Sequence, residues 1–393
     1  MTSITKISNK QGVHYKVIYD LPPLLNGSRR RTSKTFPVGT PLSVAKEFAA
    51  EKELEKKRGT ALSEGFDVDF AAFADNYFNT YTQFLSPSTL RGYRLVYTNS
   101  KPHGVRNYFG NTPMKKITQK HIQEYVNYLS TCVSPKTAKN FIMLLKVIFT
   151  AAIKEHIIPE EKDPMRNIIK PRQKKRQIEA YNMEEFNLLL KLAEEDENET
   201  IKLILNLALL SGIRRGEMAG LKWEDVHFDE KYLFIHENRL VVYGKEYIKE
   251  PKTDAGIRKI FIPDQLLEVL AEYRQKYLIH KIQKGASFAD RGYVVSKPDG
   301  NPFTPQGITN CYLRFMKRHK DQIRYLKFHG LRHTYASILI ELGENPKTVQ
   351  HNLGHADVAL TLQIYSHSFE SAQKEAARKL SESIDKFTSA ELA

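Results

Sequence analysis

Two histidines, an arginine and a tyrosine lie close together near the end of the chain, at His329, Arg332, His355 and Tyr365. His329 and Arg332 are three residues apart, so on a helix they would share one face. Arginine offers a rigid, charged fork for phosphate oxygens, and histidine can carry a proton near neutral pH. A tyrosine with an unperturbed pKa of about 10 needs nearby cations before it can act as a nucleophile. The combination predicts covalent chemistry on a phosphodiester.

Each of these residue types also has an ordinary structural use. His333 and His351, in the same stretch, are typical of surface or capping histidines. Tyr335 lies at helical spacing from Leu331 and Ile338, which favours a place in the core. The chain has 20 tyrosines, so a tyrosine alone indicates nothing. The chemical interpretation therefore depends on the whole set.

That set resembles a known signature. The segment HGLRHT, followed by LGH and by a tyrosine ten residues later, is similar to the carboxyl-terminal motif of tyrosine recombinases, the phage integrase family. A second motif of the family, G-[LIM]-R-x-x-E followed by L-x-W-x-D, is matched by Gly212, Arg214, Glu217, Leu221, Trp223 and Asp225. The resemblance implies a site-specific DNA recombinase that integrates and excises a phage or mobile element.

The resemblance also implies catalytic roles. Tyr365 would attack phosphorus, forming a 3′-phosphotyrosine and releasing a 5′-hydroxyl. Arg214 and Arg332 would clamp the non-bridging oxygens, and Glu217 would orient Arg214. Arg215 is the alternative to Arg214, and the register of the motif favours Arg214.

Lys252, in the context K-T-x-x-G-x-R, would protonate the departing oxygen, with Lys245 and Lys249 as alternatives. His329 would accept the tyrosine proton or assist as an acid–base group, and His355 would donate to the phosphate. These cations leave no need for a metal, and religation needs no nucleotide cofactor.

Composition agrees with a nucleic-acid partner. The 393 residues contain 60 lysines and arginines against 45 acidic residues, giving a net charge of +15 and a pI near 9.4. Cys132 and Cys311 can form neither a disulfide framework nor a zinc site. The first residues lack the apolar core of a signal peptide, and no apolar run has the length of a membrane span. These features predict a cytoplasmic, nucleoid-associated protein of a bacterial host, without a membrane partner.

The predicted fold is multidomain and mainly α-helical with small β-sheets. Residues 1–58 predict a β-sheet followed by a helix, with one strand over VHYKVIYD, a second over 32–38, and Thr40 capping the helix. This part resembles the arm-type DNA-binding domain of integrases. Its candidate DNA contacts are the basic residues Arg29, Arg30, Arg31 and Lys34.

Residues 66–158 predict four amphipathic helices, one of them capped by Thr118, similar to the helical core-binding (SAM-like) domain of the family. Arg91 and Lys136 are candidate phosphate contacts there, although a solvated helix face explains them equally well. The basic linker 159–180 adds Lys174, Lys175 and Arg176.

The mixed α+β catalytic domain is predicted over 181–369. It begins with a capping box at Asn182 and Glu185. It continues through three strands, with turns at about Asn238, Gly244 and 254–256, and contains a helix from about Asp264 to Lys284. The amphipathic tail 370–393 would, by resemblance, dock on a neighbouring protomer, and packing on its own domain is the alternative.

The resemblance further implies a homotetramer on double-stranded DNA that carries core and arm attachment sites. DNA-bending and excisionase accessory proteins are expected partners. Two alternatives remain: a type IB topoisomerase with related chemistry, and a non-catalytic DNA-binding regulator that keeps the fold.

Overall fold

The computed structural model describes residues 2–9, 12–21, 30–57, 68–172, 179–249 and 256–354, with the isolated positions 378 and 381. Several predicted residues lie outside these ranges: Arg29, Lys174, Lys175, Arg176, Lys252, His355 and Tyr365. The side chain of Arg30 and the tail 370–393, apart from two positions, also lie outside them. The chain divides into two compact units, Met1–Lys175 and Arg176–Ala393.

The first unit begins with a three-stranded antiparallel sheet in the order β1 (Ser3–Asn9), β2 (Gly12–Leu21) and β3 (Arg30–Thr35). Helix α1 (Leu42–Lys57) follows it. Strand β1 was not predicted, because its sequence SITKISN has few apolar residues, and its pairing with β2 defines it. The predicted cap at Thr40 was wrong, since its hydroxyl donates to the Pro37 carbonyl (2.8 Å) and the helix begins at Leu42.

The described residues 68–172 of the first unit are mainly helical. Its helices are α2 (Phe70–Thr80), α3 (Pro87–Tyr97), α4 (Val105–Phe109), α5 (Gln119–Cys132) and α6 (Pro135–Lys154). The four predicted helices are present, but the second, predicted over STLRGYRLVYTNSKPHGVRNYFG, is divided into α3 and α4. Thr118 caps α5 as predicted, because its hydroxyl accepts from the His121 amide. One aromatic and aliphatic core joins them.

The second unit is built around a helix that is buried on nearly all sides, α8 (Glu199–Ser211). Its sequence TIKLILNLALL is apolar all round, as a central helix must be. The helices of this unit are α7 (Met183–Glu194), α8, α9 (Arg215–Gly220), α10 (Asp264–Lys284), α11 (Pro305–Arg318), α12 (Phe328–Glu341) and α13 (Pro346–Leu353). The capping box of Asn182 with Glu185 and the span of α10 are confirmed.

The described part of the second unit also contains two small antiparallel sheets. One contains β4 (Val226–His227), β5 (Tyr232–Ile235) and β8 (Arg258–Phe261), and the other pairs β6 (Asn238–Val242) with β7 (Lys245–Lys249). The prediction of three strands was wrong, because the same segment contains four, β5 to β8. The turn predicted near Asn238 lies at His236 and Glu237. Strand β5 pairs with the distant β8, while β6 forms a hairpin with β7. In the described residues, no helix is long and apolar enough to cross a bilayer.

Candidate active site and DNA-facing surfaces

A buried carboxylate organises the predicted site. Glu217, on α9, is 2% exposed, and its Oε1 accepts from Nη1 of Arg214 at 2.6 Å. The Arg214 backbone amide also donates to Oε2 at 2.8 Å, so the same carboxylate closes the start of the helix. The predicted orienting role of Glu217 has this direct geometric basis, because one side chain fixes both the backbone and the guanidinium of Arg214.

A second arginine binds the same carboxylate. Arg258 Nη2 donates to Glu217 Oε2 (3.0 Å) and Nη1 donates to Oε1 (3.3 Å), and the Arg258 side chain is fully buried. Burial alone would raise the pKa of Glu217. The charge and hydrogen bonds of Arg258, with the charge of Arg214, outweigh burial and lower that pKa to about 2. Glu217 is therefore ionised at neutral pH.

Arg258 was not predicted as a site residue, although a signal for it exists. It ends the K-T-x-x-G-x-R segment that was used to select Lys252. In β8 the side chains of Arg258 and Ile260 point inward, while Lys259 and Phe261 are exposed. An arginine at an inward position of a strand requires buried partners, which the alternation alone could have indicated.

Three arginines meet at the carboxyl end of α13. Arg258 Nε donates to the carbonyl of Asn352 (2.7 Å), Arg332 Nη2 to that of Leu353, and Arg214 Nη2 to that of Gly354 (2.6 Å). The last carbonyls of a helix lack intrahelical partners and carry the negative end of the macrodipole. Guanidinium groups satisfy both needs, so the end of α13 holds three cations in one place.

The second predicted arginine, Arg332, is 3% exposed on α12. Its Nη1 donates at 2.7 Å to the carbonyl of Gly212, the first residue of the motif that contains Arg214. Gly212 has φ +62°, and a Cβ there would lie 2.3 Å from the ring of Tyr335. Burial and the charge of Arg214 lower the pKa of Arg332 to about 9. A phosphate placed beside these arginines would favour their charged forms.

The histidine predicted to act as an acid–base group is on the same helix. The side chain of His329 reaches solvent, yet lost hydration lowers its pKa, and the charges of Arg332, Arg214 and Arg215 lower it further. Its ring lies 4.9 Å from that of His333 in an edge-on arrangement. Burial and the nearby His329 lower the pKa of His333 to about 4. Both rings are thus neutral at pH 7, and His329 can accept a proton.

The structure therefore brings Arg214, Glu217, His329 and Arg332 together. Tyr335 is buried in the small cluster between α12 and α13, as predicted. Trp223 is partly buried against the main core of the unit. Within the described ranges, no group of three or more histidine, cysteine or acidic residues could hold a metal ion. Lys252, His355 and Tyr365 lie outside those ranges.

The amino-terminal sheet separates its predicted DNA contacts onto two faces. Lys34 pairs with the fully buried Val17, and its Nζ lies 4.4 Å from the ring centroid of Phe48 on α1. Arg31 lies on the opposite, open face, where its Nε donates to Asp20 Oδ1 at 3.2 Å. Side chains alternate across a strand, so Arg31 and Lys34 cannot meet DNA through the same face.

The open face carries polar and charged side chains and two isoleucines. The register places on it Ser3, Thr5, Ile7, His14, Lys16, Ile18, Asp20, Arg31, Ser33 and Thr35. In the helical part of the first unit, Arg91 on α3 and Lys136 at the start of α6 are both exposed. Both residues are in positions that a phosphate could reach.

The chain matches two domain families. Residues 179–372 match the phage integrase family, and residues 69–130 match the phage integrase, N-terminal SAM-like domain. The chain belongs to the phage integrase family of tyrosine recombinases. It is a tyrosine-type site-specific recombinase that acts in DNA recombination.

Characterised relatives align over most of its length. The ICEBs1 integrase of Bacillus subtilis is 25% identical over 385 residues, covering 96% of this chain and 99% of that protein. The tyrosine recombinase XerC-like protein of Caldanaerobacter subterraneus is 28% identical over 372 residues, covering 86% and 92%.

Solved structures share the fold. The Tn1549 transposon integrase in complex with a circular intermediate DNA has a TM-score of 0.63 at 21% identity, covering 79% of this chain and 99% of that one. The lambda integrase tetramer bound to a Holliday junction has a TM-score of 0.55 at 19% identity, covering 91% and 94%. The predicted fold class, mainly helical with small antiparallel sheets, is confirmed.

Proposed function

We propose that this recombinase cuts DNA by attack of Tyr365 on a phosphodiester, forming a 3′-phosphotyrosine and freeing a 5′-hydroxyl. The cluster of Arg214, Arg332 and Arg258 around a single carboxylate is the observation that carries the proposal. Three guanidinium groups and one carboxylate give this cluster a net positive charge, which would attract an anion such as phosphate. Rejoining to a different 5′-hydroxyl completes strand exchange and conserves the bond energy.

Arg214 and Arg332 would hold the non-bridging oxygens. The contacts described above engage two of the five side-chain N–H groups of each guanidinium, so within the described part of the chain donors remain for phosphate. Donors fixed before the reaction stabilise the charge that develops on a pentacoordinate phosphorus. Their attachment to a helix end and to backbone carbonyls supplies that rigidity.

The remaining groups would move protons. His329, which is neutral at pH 7, would accept the proton of the Tyr365 hydroxyl or assist as an acid–base group. Lys252 would protonate the departing 5′-oxygen, and His355 would donate a hydrogen bond to the phosphate. This set needs neither a metal nor a nucleotide cofactor.

In this proposal each predicted domain contacts a different part of the DNA. Residues 1–58 would bind arm sites, 66–158 would bind core sites, and the linker 159–180 would follow the phosphate backbone between 66–158 and the catalytic domain 181–369. The open face of the amino-terminal sheet, which carries Lys16 and Arg31, suits a major groove, because that groove admits a β-ribbon. The tail 370–393 would then contact its own domain or a neighbouring protomer.

The relatives support a proposal for the biological setting. The ICEBs1 integrase, the integrase of Staphylococcus phage L54a and the Tn916 transposase all belong to mobile elements. We infer that this protein integrates and excises a prophage or integrative element as a homotetramer on paired duplexes, with DNA-bending and excisionase proteins as accessory partners. Its place of action would be the bacterial cytoplasm, at the nucleoid.

Covalent trapping tests the proposal. Labelled duplexes tiled across the DNA that borders this protein's gene are incubated with the protein and denatured, and labelled DNA that remains attached to protein is measured. We expect adducts with the parent and none with Tyr365→Phe. The exposed Tyr325→Phe in the same unit is the control and should form adducts normally. Adducts that persist in Tyr365→Phe would exclude this nucleophile, and efficient relaxation of a supercoiled plasmid without attachment sites would favour a topoisomerase.

A further inference from the structure

Arg258 joins three parts of the site that come from separate regions of the chain. Its guanidinium binds both oxygens of Glu217, which in turn holds Arg214. Its Nε binds the Asn352 carbonyl at the end of α13, three residues before His355 in the sequence. Its own strand, β8, begins six residues after Lys252. No other arginine of the described site touches both Glu217 and α13 while being wholly buried.

We propose that Arg258 is a positioning residue for the recombination reaction: it fixes the Arg214 guanidinium through Glu217 and the end of α13 through the Asn352 carbonyl. This inference rests on the proposed function. Arg258 itself lies beneath the site, because its side chain has no solvent-exposed surface with which to touch DNA.

The geometry requires an arginine. Nη1 and Nη2 grip two carboxylate oxygens while Nε points in another direction to a backbone carbonyl. A planar guanidinium can make these contacts at once, whereas a lysine ammonium is a single compact donor centre that cannot span them. Arg258→Lys would keep the charge and lose the bridge.

Loss of the bridge would affect the reaction more than binding. Glu217 Oε1 is shared between Arg214 and Arg258. Without Arg258 the carboxylate keeps its two contacts with Arg214 but loses its link to β8 and to the end of α13, so the two side chains can move together. DNA affinity comes from many phosphate contacts spread over the protein. A small displacement of one clamping guanidinium therefore lowers the rate of bond cleavage and leaves the affinity largely unchanged.

The chain offers a matched control in Arg239. This arginine is also in the second unit, is 1% exposed, and pairs with one glutamate, Glu246 (2.5 Å), and one backbone carbonyl, that of Phe303 (2.7 Å). Its guanidinium therefore links β6 to β7 through Glu246, whereas that of Arg258 binds Glu217. Arg239→Lys removes a buried arginine bridge of the same kind outside the site.

The experiment compares the parent, Arg258→Lys, Arg258→Gln and Arg239→Lys, all as full chains. For each, the single-turnover rate of adduct formation at saturating bordering duplex, the DNA concentration for half-saturation, and the fluorescence of Trp223 on heating are measured. We expect both Arg258 variants to lose about 10- to 100-fold in rate with half-saturation changed less than about threefold. Arg239→Lys should lose thermal stability with a rate, per folded molecule, close to that of the parent.

The results distinguish the positioning role of Arg258 from a role in stability and from failure of the proposed function. Arg258 variants that cleave at the parental rate per folded molecule overturn the positioning role while leaving the proposed function intact. An equal loss of rate in Arg239→Lys also overturns it, because general destabilisation would then explain both. If both Arg258 variants fail to fold while Arg239→Lys folds, Arg258 serves stability instead. A parent that forms no adduct overturns the proposed function itself.

Discussion

At the level of single residues, charge balance in the site depends on Glu217. It is the one carboxylate that touches both Arg214 and Arg258 among the described residues, and it is almost wholly buried. Buried arginines without a counter-charge are costly, because neither water nor a partner then stabilises them. Glu217 consequently supports the fold and, in the proposed mechanism, the two arginines that would clamp the phosphate.

The first prediction concerns Glu217→Gln. Its folded-state pKa of about 2 lies below the ordinary 4.5, so the carboxylate stabilises the fold above pH 4.5, and that stability is lost as the pH falls towards 2. At neutral pH we expect the free energy of unfolding to fall by about 3 kcal/mol or more. Towards pH 2 the difference from the parent should disappear. Urea unfolding followed by Trp223 fluorescence measures this, since Trp223 is the only tryptophan and packs on this unit's core.

Glu185→Gln is the control for that experiment. Glu185 also has a lowered pKa, but it is more exposed and its carboxylate binds one arginine, Arg324. We expect its substitution to cost only about 1 kcal/mol at neutral pH. Equal costs for the two variants would mean that the double pairing of Glu217 adds no stability.

Sequence motifs selected the residues of the proposed clamp but missed the residues that hold them in place. Arg214, Glu217 and Arg332 follow from short patterns whose spacing is local. Arg258 has a local signal in its strand, but its link to the carbonyl of Asn352 joins segments that are 94 positions apart and became visible only in the structure. Backbone carbonyls carry no sequence signature, so a helix end that binds arginines cannot be read from residue types.

At the level of elements, the turn between α8 and α9 sets the position of both arginines. Gly212 ends α8 with a left-handed backbone, φ +62°, and its carbonyl receives Arg332. Arg214 follows two residues later at the start of α9. The ring of Tyr335 fills the space beside Gly212, so this turn is held from both sides.

The next prediction follows for Gly212→Ala. A Cβ would be strained by the positive φ and would overlap the Tyr335 ring, so we expect a loss of about 2 to 4 kcal/mol in unfolding free energy. Gly343→Ala is the matched control, because its φ is +86° while no atom lies within 4 Å of the added carbon. That variant should lose only about 1 to 2 kcal/mol. The difference, read by Trp223 fluorescence on urea unfolding, measures the overlap. Equal losses would show that Tyr335 moves freely aside.

Elements defined by local signals were predictable and elements defined by pairing were not. The capping box of α7 and the span of α10 follow from the residues within each helix. Strand β1 and the pairing of β5 with β8 depend on which other strand each one joins. Short apolar runs have the same appearance whichever sheet they enter, because partner choice is settled by tertiary packing.

At the level of the whole molecule, a net charge of +15 is spread over surfaces with different tasks. The register of the amino-terminal sheet separates its cations: Lys16 and Arg31 are on the open face, and Lys34 lies over aromatic rings on the helix side. A total charge predicts attraction to DNA without saying which cations meet phosphate. The two faces of the sheet predict which of these cations can reach phosphate, namely Lys16 and Arg31 on the open face.

The last prediction compares those faces by salt dependence. Each phosphate contact adds about 0.9 to the slope of log affinity against log salt, so Lys16→Ala with Arg31→Ala should lower the slope by about 2 if both meet phosphate. Lys34→Ala should leave the slope unchanged, because its ammonium is placed over Phe48 on the face that α1 covers. Affinities of the full-length variants for the bordering duplexes, titrated over a range of salt, give the slopes. A slope lowered by Lys34→Ala but not by the double substitution would place DNA at the helix side of the sheet and exclude the open face.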